Sequence, residues 1–394
     1  MESRVRPIGY FVHHQGRGHA ERAGAIANAL VRNRPVTLFS ARDDIFPQLD
    51  ERIELRVLPS LFEPQGGEPA GLQALPMPST VHCAPLGWPG IRDAMATLGG
   101  WFAQSDPALF VTDVSAELGQ LARLCSVPHV AVLQHGDRSD PGHMAAYESA
   151  VGLLAPYART LEQDDRPDWM LAKTHYASGV GVDCGTRLSK REARRHLGLD
   201  ADEDIVLVVA GGGGEGTPSA PLTLGARAEP HSRWITIGKV RSEWHETAPG
   251  NLDHRGWVDN PDVWMAAADR IVSSCGNTTV HMALATGRPW VVVPEWRYFE
   301  EQRCKARVLE REGLAATAQE WPSHAAAWAA LWDRARALDC AAQRDIVRGD
   351  AAIEAADWLD DLATTLWRDV PFPEAAGQSA KSDERAAPSL EIVA

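Results

Sequence analysis

A glycine-rich turn followed by a histidine has the residue types of a proton-transfer site. Gly16, Arg17, Gly18 and His19 lie between an apolar run and the first helical pattern. In open parallel sheets, ligands bind at the carboxyl ends of the strands. Glycines there let a ligand approach the backbone, and the helix N-termini attract anions. An imidazole titrates near neutrality, so His19 could take a proton from a hydroxyl group. Glu21 replaces the third glycine of a dinucleotide-binding turn, which counts against such a cofactor.

An aspartate at the end of a later strand could act together with His19. Asp113 directly follows the apolar run at 108–112, so its side chain is expected at the same edge of the sheet. A carboxylate can fix the tautomer of a histidine base and stabilise the imidazolium that forms. Aspartate is also a good helix cap, so a cap for the helix that begins at Val114 is an equally open interpretation.

A second group of residues, in the C-terminal half, has the composition of an anion-binding turn. Its hydroxyls and backbone N–H groups could bind a pyrophosphate at the start of a helix. The group comprises Ser274, Cys275, Gly276, Asn277, Thr278 and Thr279. The glycine run that includes Gly212 and Gly213 follows another strand and could approach the same ligand. An ordinary capped turn and a bare glycine linker are the alternatives.

Alternating strands and helices must position both groups. Short apolar runs are followed by small or polar turns and then by helical periodicity, which is typical of a parallel sheet. A charged segment broken by proline, at 162–168, separates two such stretches. We therefore predict an α/β fold with one Rossmann-like domain at 1–168 and another at 169–350. Residues 351–371 are expected to form a terminal helix, and 372–394 a disordered tail.

Composition excludes several classes of function. The 394 residues include 39 Lys and Arg against 53 Asp and Glu, so the formal net charge is −14. An acidic protein repels nucleic acid and anionic lipid headgroups, so neither is an expected partner. A signal peptide and a long apolar run are both missing from the sequence, which predicts a cytoplasmic protein. The six dispersed cysteines predict reduced packing residues rather than disulfides or a zinc site.

An irregular segment and an acidic pair complete the candidate features. Residues 59–90 are rich in Pro and Gly and lack a clear period, which fits either a surface insertion or an acceptor-binding flap. Contact of this segment with a membrane is not favoured. Asp200 and Asp202 have the spacing of a metal-binding carboxylate pair, but a solvated turn explains them better, so no metal is expected.

Several motifs together resemble a known family. They are Trp257, SSCGNTT at 273–279, ATGRP at 285–289, VVVPE at 291–295, and Glu301 with Gln302. This run is similar to the nucleotide-sugar signature of GT-B glycosyltransferases, namely the UDP-glycosyltransferases and the peptidoglycan GlcNAc transferase branch. The GRGH at 16–19 resembles the N-terminal loop of the same families. The resemblance implies two domains that face a central cleft, with the last helix crossing back to the first domain.

The resemblance also implies roles for the matching positions. Trp257 would stack on the nucleobase, and the Val258 backbone would read its edge. Ser274, Gly276, Thr278 and Thr279 would hold the diphosphate, while Glu301 and Gln302 would bind the donor sugar. His19 would be the base and Asp113 its orienting partner in an inverting transfer to a hydroxyl of a small-molecule or lipid-linked acceptor. The donor would be a nucleotide sugar that acts as a co-substrate, and a UDP-sugar is the favoured one. No cofactor is expected.

One departure concerns the ribose. The acidic residue that these families place six positions after Gly276 is replaced by Met282, and a thioether cannot accept the hydrogen bonds that a carboxylate accepts. His281 is the alternative ribose contact. Two other functions stay open, a non-hydrolysing sugar-nucleotide 2-epimerase and a non-catalytic nucleotide-sugar-binding subunit.

Overall fold

The first domain is built on a seven-stranded parallel sheet. The computed structural model describes residues 5–182, 188–242 and 247–368, so the predicted tail lies outside the described residues. The elements of the first domain are β1 (Ile8–Phe11), α1 (Arg17–Leu30), β2 (Val36–Ser40), β3 (Glu54–Val57), α2 (Ala70–Gln73), α3 (Pro89–Ser105), β4 (Leu109–Asp113), α4 (Ala116–Leu124), β5 (His129–Val132), α5 (Pro141–Ser149), β6 (Gly152–Ala155), α6 (Asp168–Leu171) and β7 (Thr174–Tyr176). The strand order is β3-β2-β1-β4-β5-β6-β7. Its central strands are buried on both faces, which is why their sequences are nearly continuous apolar runs.

The second domain repeats this plan with a six-stranded parallel sheet. Its elements are α7 (Lys190–Leu197), β8 (Asp204–Val209), β9 (Thr217–Pro218), α8 (Ser219–Ala228), β10 (Ser232–Ile237), β11 (Val240–Arg241), β12 (Leu252–His254), α9 (Pro261–Ala267), β13 (Arg270–Ser273), α10 (Asn277–Thr286), β14 (Trp290–Val292), α11 (Glu301–Arg311), β15 (Ala316–Thr317), α12 (Ala325–Arg336) and α13 (Cys340–Asp345). The strand order of the main sheet is β12-β10-β8-β13-β14-β15, and β9 pairs separately with β11.

Each sheet reverses its strand order at one place, and the predicted site residues follow the strands there. In the first sheet β1 pairs with both β2 and β4, and in the second β8 pairs with both β10 and β13. Loops that leave such neighbouring strands in opposite directions open a crevice at their carboxyl ends. The glycine turn at 16–19 and Asp113 lie at the first crevice. The glycine run at 211–214 and the turn at 274–279 lie at the second.

The last helix, α14 (Ala351–Leu366), packs on the first domain. It lies against α1 and contributes Ala355, Leu359 and Ala363 to the buried core of that domain. The Trp367 indole donates a hydrogen bond to the Ala108 carbonyl over 3.0 Å. The helix therefore ties the end of the second domain to the first, as the resemblance implies.

The domains divide later than the sequence predicts. β7 follows the predicted division at 168/169, yet it pairs in parallel with β6 and belongs to the first sheet. The charged segment at 162–168 is therefore a connection within the first domain. A three-residue strand with partly exposed side chains is too short to show a period, which is why the sequence does not reveal it.

The segment at 59–90 is irregular except for α2 and the start of α3, but it is anchored. The buried Glu117 carboxylate accepts the backbone N–H groups of His82 and Cys83, each over 2.6 Å. Phe62, His82 and Cys83 consequently line one side of the cleft between the domains.

Cysteine chemistry and membrane spans can be assessed only for the described residues. Their five cysteines are free, whereas Cys184 lies outside the described part. In the same part of the chain, none of the helices is both long and apolar enough to cross a membrane.

Candidate active site

One large cleft of about 1740 Å³ lies between the carboxyl edges of the two sheets. Fourteen of the sixteen residues predicted for the site line it: Gly16, Gly18, His19, Gly212, Gly213, Trp257, Val258, Ser274, Gly276, Asn277, Thr278, Thr279, Glu301 and Gln302. Asp113 lies behind His19, and His281 does not reach the cleft. The fold therefore brings together the turns at 16–19 and 274–279, which are more than two hundred positions apart in the sequence.

The predicted His19 and Asp113 pair is formed. The His19 Nδ1 lies 3.1 Å from Asp113 Oδ1, and the His19 side chain is 20% exposed while Asp113 is fully buried. His19 Nδ1 also lies 3.0 Å from Arg22 Nη2, but that nitrogen already donates to both Asp113 oxygens. Because the carboxylate only accepts hydrogen bonds, we assign the hydrogen to Nδ1, which leaves Nε2 free to accept a proton. The cap of α4 is Ser115, whose side chain accepts the Leu118 N–H, so the alternative role of Asp113 as helix cap is wrong.

A third member of this group, Arg22, is not predicted from the sequence. Its Nη2 donates to both Asp113 oxygens, over 2.9 and 2.7 Å, and the arginine is buried. Burial alone would raise the pKa of Asp113, but the charges of Arg22 and His19 outweigh it and hold that pKa well below its usual value. The carboxylate is therefore ionised wherever the protein is folded near neutral pH. Arg22 follows His19 by three positions on α1, so a charged residue on the buried face of that helix was the available signal.

The neighbouring His13 is unsuited to the role of base. The His13 ring stacks on Phe62 at 4.4 Å and on His14 at 5.2 Å, and its centroid lies 5.6 Å from that of His19. Burial, reinforced by the positive character of His19 and His14, lowers the pKa of His13 to about 3. His13 is thus neutral at physiological pH and adds bulk rather than charge beside His19.

The turn before α10 has the features of an anion site. The N-cap of α10 is Gly276, which offers no side-chain acceptor, so the first N–H groups of this ten-residue helix are left for another partner. Across the cleft, a Cβ atom on Gly18 would lie 2.7 Å from Thr278 Oγ1. The glycine therefore allows the first domain to approach this turn closely, which places His19 next to it.

Gln302 contacts the same turn from behind. Its Oε1 accepts the backbone N–H groups of Cys275, over 3.0 Å, and of Glu295, over 2.8 Å. The side chain is almost fully buried. Its oxygen is therefore committed to shaping two loops, so a contact with a donor sugar could come only from its Nε2.

The predicted nucleobase contact lies at the outer end of the cleft. The Trp257 side chain is 58% exposed, and a Cβ on Gly212 would lie 3.1 Å from its indole ring. The glycine run therefore allows the indole to lie close to the backbone, with one ring face available. Val258 and Met282 line the same end.

His281 is placed differently from the prediction. The ring is buried, and its Nδ1 donates to the Asn277 carbonyl over 2.8 Å, one turn earlier on α10. Burial lowers the pKa of His281 to about 4, so it is neutral. One residue further along the helix turns the side chain by about 100°, which is why Met282 faces the cleft and His281 does not.

Glu301 is held by a residue of the other domain. Arg138 Nη2 donates to Glu301 Oε2 over 3.2 Å, and its guanidinium lies 4.5 Å from the Phe299 ring centroid. The Phe299 carbonyl accepts the Asp137 N–H over 2.8 Å. Phe299 and Glu300 have φ values of 62° and 55°, a left-handed backbone that costs energy for such residues. This strained segment closes one side of the cleft and orients Glu301.

Within the described residues, three side chains are close enough to share a metal ion. They are His82, Asp140 and His143, whose ligand atoms lie within 4.8 Å of one another. The Asp140 carboxylate already accepts the backbone N–H of His143 over 3.1 Å and pairs with its Nδ1 over 2.6 Å. Asp140 therefore acts as a helix cap that orients His143, and only two imidazole nitrogens remain for a metal.

Comparisons with known proteins agree with the two-domain architecture. No protein-family model matches the chain. Over 145 residues it is 27% identical to the UDP-N-acetylglucosamine–N-acetylmuramyl-(pentapeptide) pyrophosphoryl-undecaprenol N-acetylglucosamine transferase of Acetivibrio thermocellus, and this match spans 34% of the chain and 39% of that protein. The solved glycotransferase of kitacinnamycin superposes with a TM-score of 0.62 at 18% identity, covering 91% of this chain and 99% of the other. Arabidopsis thaliana UGT89C1 complexed with quercetin gives a TM-score of 0.64 at 15% identity, covering 91% and 100%. The predicted GT-B fold is confirmed.

Proposed function

We propose that the chain is a glycosyltransferase that moves a sugar from a nucleoside-diphosphate sugar to an acceptor hydroxyl with inversion. One observation carries the proposal. The His19–Asp113 pair at the edge of the first sheet faces the uncapped start of α10, and Gly18 lies against Thr278. A base and an anion site are thus next to each other on opposite walls of one cleft.

The geometry supports a single displacement. His19 Nε2 takes the proton of the acceptor hydroxyl, whose oxygen forms a bond to the anomeric carbon as the bond from that carbon to the diphosphate oxygen breaks. Attack opposite the leaving group inverts the configuration. The N–H groups at the start of α10, with the hydroxyls of Ser274, Thr278 and Thr279, stabilise the charge on the departing diphosphate.

Asp113 and Arg22 support the base without contacting substrate. The carboxylate holds the His19 hydrogen on Nδ1 and stabilises the imidazolium that forms. Arg22 keeps the carboxylate ionised. Both are positioning residues, and His19 is the catalytic one.

The donor is proposed to be a UDP-sugar, and the acceptor a small molecule or a lipid-linked sugar. The donor proposal is supported by the relative from Acetivibrio thermocellus, whose name includes UDP-N-acetylglucosamine. The acceptor would lie against Phe62 and His82 of the first domain and Phe299 of the second, all of which line the cleft. A cytoplasmic location stays a prediction.

A panel of nucleotide sugars tests the function. We expect UDP-sugars to raise the midpoint of thermal unfolding more than dTDP-, GDP- or ADP-sugars. A ligand at 100 times its Kd stabilises the native state by about 2.7 kcal/mol, so at equal concentrations the nucleotide sugar with the lowest Kd gives the largest shift. Release of nucleoside diphosphate should then depend on an added acceptor. Epimerised sugar with donor alone would instead indicate the epimerase, and binding without turnover a non-catalytic subunit. The proposal would be abandoned if every nucleotide sugar left the midpoint unchanged.

Trp257 gives a separate test of the nucleobase contact. Replacing Trp257 by alanine should weaken donor binding by about 5- to 150-fold, which corresponds to the ~1–3 kcal/mol of one base–aromatic stack. Because the side chain is 58% exposed, the change should leave folding intact. Trp257→Phe keeps an aromatic face and should retain most of the affinity. Equal calorimetric affinities in Trp257→Ala and the parent would remove Trp257 from the donor site.

A further inference from the structure

Lys305 is a buried cation that the mechanism above does not use. It lies on α11, its side chain is 3% exposed, and it lines the cleft. Its Nζ donates to Asn277 Oδ1 over 3.3 Å, a long bond to a neutral acceptor. Of the acidic groups in the described residues, none forms an ion pair with it. A buried ammonium without a counter-ion is costly, so its retention calls for an anion supplied from outside the chain.

The charges around Lys305 compensate its ammonium only in part. Glu301 lies one turn earlier on α11, but its carboxylate is paired with Arg138. Burial lowers the pKa of Lys305, and the positive charge of Arg22 acts in the same direction, while Glu301 opposes both. His135 and His281 also feel its charge, and burial lowers the pKa of each, so both are neutral. Glu301 therefore compensates the Lys305 charge only in part, and an anionic ligand would stabilise the ammonium further.

Lys305 also lies at the anion site. Asn277, its hydrogen-bond partner, is the first residue of α10, and the Asn277 Nδ2 donates to the Pro156 carbonyl of the first domain over 3.2 Å. Gln302, one turn earlier on the face of α11 that Lys305 shares, holds the Cys275 N–H of the same turn. The ammonium and the uncapped helix start are thus two independent sources of positive potential at one wall of the cleft.

We propose that Lys305 is a donor-binding residue whose ammonium pairs with an anionic oxygen at the junction of the diphosphate and the transferred sugar. This inference rests on the proposed function and adds to it a donor contact that selects for an anionic oxygen. The anionic oxygen belongs either to the phosphate next to the sugar or to a carboxylate on the sugar, as in a hexuronate. In both cases the ligand restores the counter-ion that the protein lacks.

Calorimetry with four probes tests the proposal and separates the two sources. The probes are inorganic pyrophosphate, UDP, UDP-glucose and UDP-glucuronate, and the variant is Lys305→Met, which keeps the length of the side chain without its charge. Loss of a buried charge-assisted hydrogen bond should weaken binding by about 10- to 100-fold. A loss for all four probes supports the phosphate, and a loss for UDP-glucuronate alone supports the carboxylate. Unchanged affinity for all four overturns the proposal.

The controls distinguish a ligand contact from a structural role. Lys190→Met, which removes a lysine paired with Asp269 on the far side of the second domain, should leave all four affinities unchanged. Lys305→Met should unfold at a midpoint no lower than the parent without ligand, because an unpaired buried charge is removed. A lower midpoint with unchanged affinities would make Lys305 structural and overturn the inference.

The outcomes also separate this inference from the proposed function. If the parent transfers sugar and Lys305→Met binds every probe equally well, the inference fails and the function stands. If the parent binds pyrophosphate through Lys305 but no nucleotide sugar, the function fails and the anion contact stands.

Discussion

Replacing His19 by alanine should lower kcat by about 10²- to 10⁴-fold, the usual contribution of a general base. The affinity for the donor should stay within about twofold, because the diphosphate is bound by the opposite wall of the cleft. Initial rates of nucleoside diphosphate release, with calorimetric donor binding on the same preparation, measure both. The split between turnover and binding is what identifies His19 as a base rather than a donor contact.

Two further variants make this result specific. Asp113→Asn should also lower kcat strongly, because an amide can no longer hold the His19 hydrogen on Nδ1 as a charged acceptor does. His196→Ala removes an exposed histidine from α7 and should leave kcat unchanged. Full turnover by His19→Ala would refute the mechanism while leaving the donor site intact.

Replacing Arg22 by methionine should lower the free energy of unfolding by about 3–5 kcal/mol, because it leaves the buried Asp113 charge without a partner. It should also lower kcat, since a carboxylate that is less firmly ionised orients His19 less well. Urea unfolding followed by fluorescence measures the first effect. Arg195→Met, which removes an exposed arginine from α7, is the matched control and should change neither.

A double variant shows whether the pair itself is responsible. Arg22→Met combined with Asp113→Asn removes both charges, so its destabilisation should be smaller than the sum of the two single effects. Additive effects of the two substitutions would mean that Arg22 stabilises the domain through packing alone.

The loss of unfolding free energy caused by Arg22→Met should become smaller as the pH falls. In the folded chain the charges of Arg22 and His19 hold the pKa of Asp113 below its unfolded value of about 3.9, against the effect of burial. The unfolded state therefore binds the proton more readily, and the stabilisation is fully present above that value and is lost as the pH falls through the folded pKa. The difference between parent and Arg22→Met should be largest near neutral pH and should narrow below about pH 4. A difference that widens on acidification would contradict the assigned ion pair.

The sequence alone predicted the architecture and most of the cleft. His19, Asp113 and the turn at 274–279 could be placed because each directly follows an apolar strand, and parallel strands end at a common edge. Gly18 and Gly276 also line the cleft, and they could be placed in the same way because each lies in a turn that follows a strand. Local patterns of this kind are visible in a short stretch of sequence because they depend only on neighbours in the chain.

Only the tertiary structure decided which partners complete the site. Arg22 meets Asp113 across 91 positions, and Arg138 meets Glu301 across 163, so no local pattern marks either pair. Lys305 reads in the sequence as one more charged residue on an amphipathic helix, and its burial depends on how α11 packs against the turn before α10. Strand ends are set by local hydrophobic pattern, whereas the compensation of a buried charge depends on contacts between distant segments, and these exist only once both domains have folded.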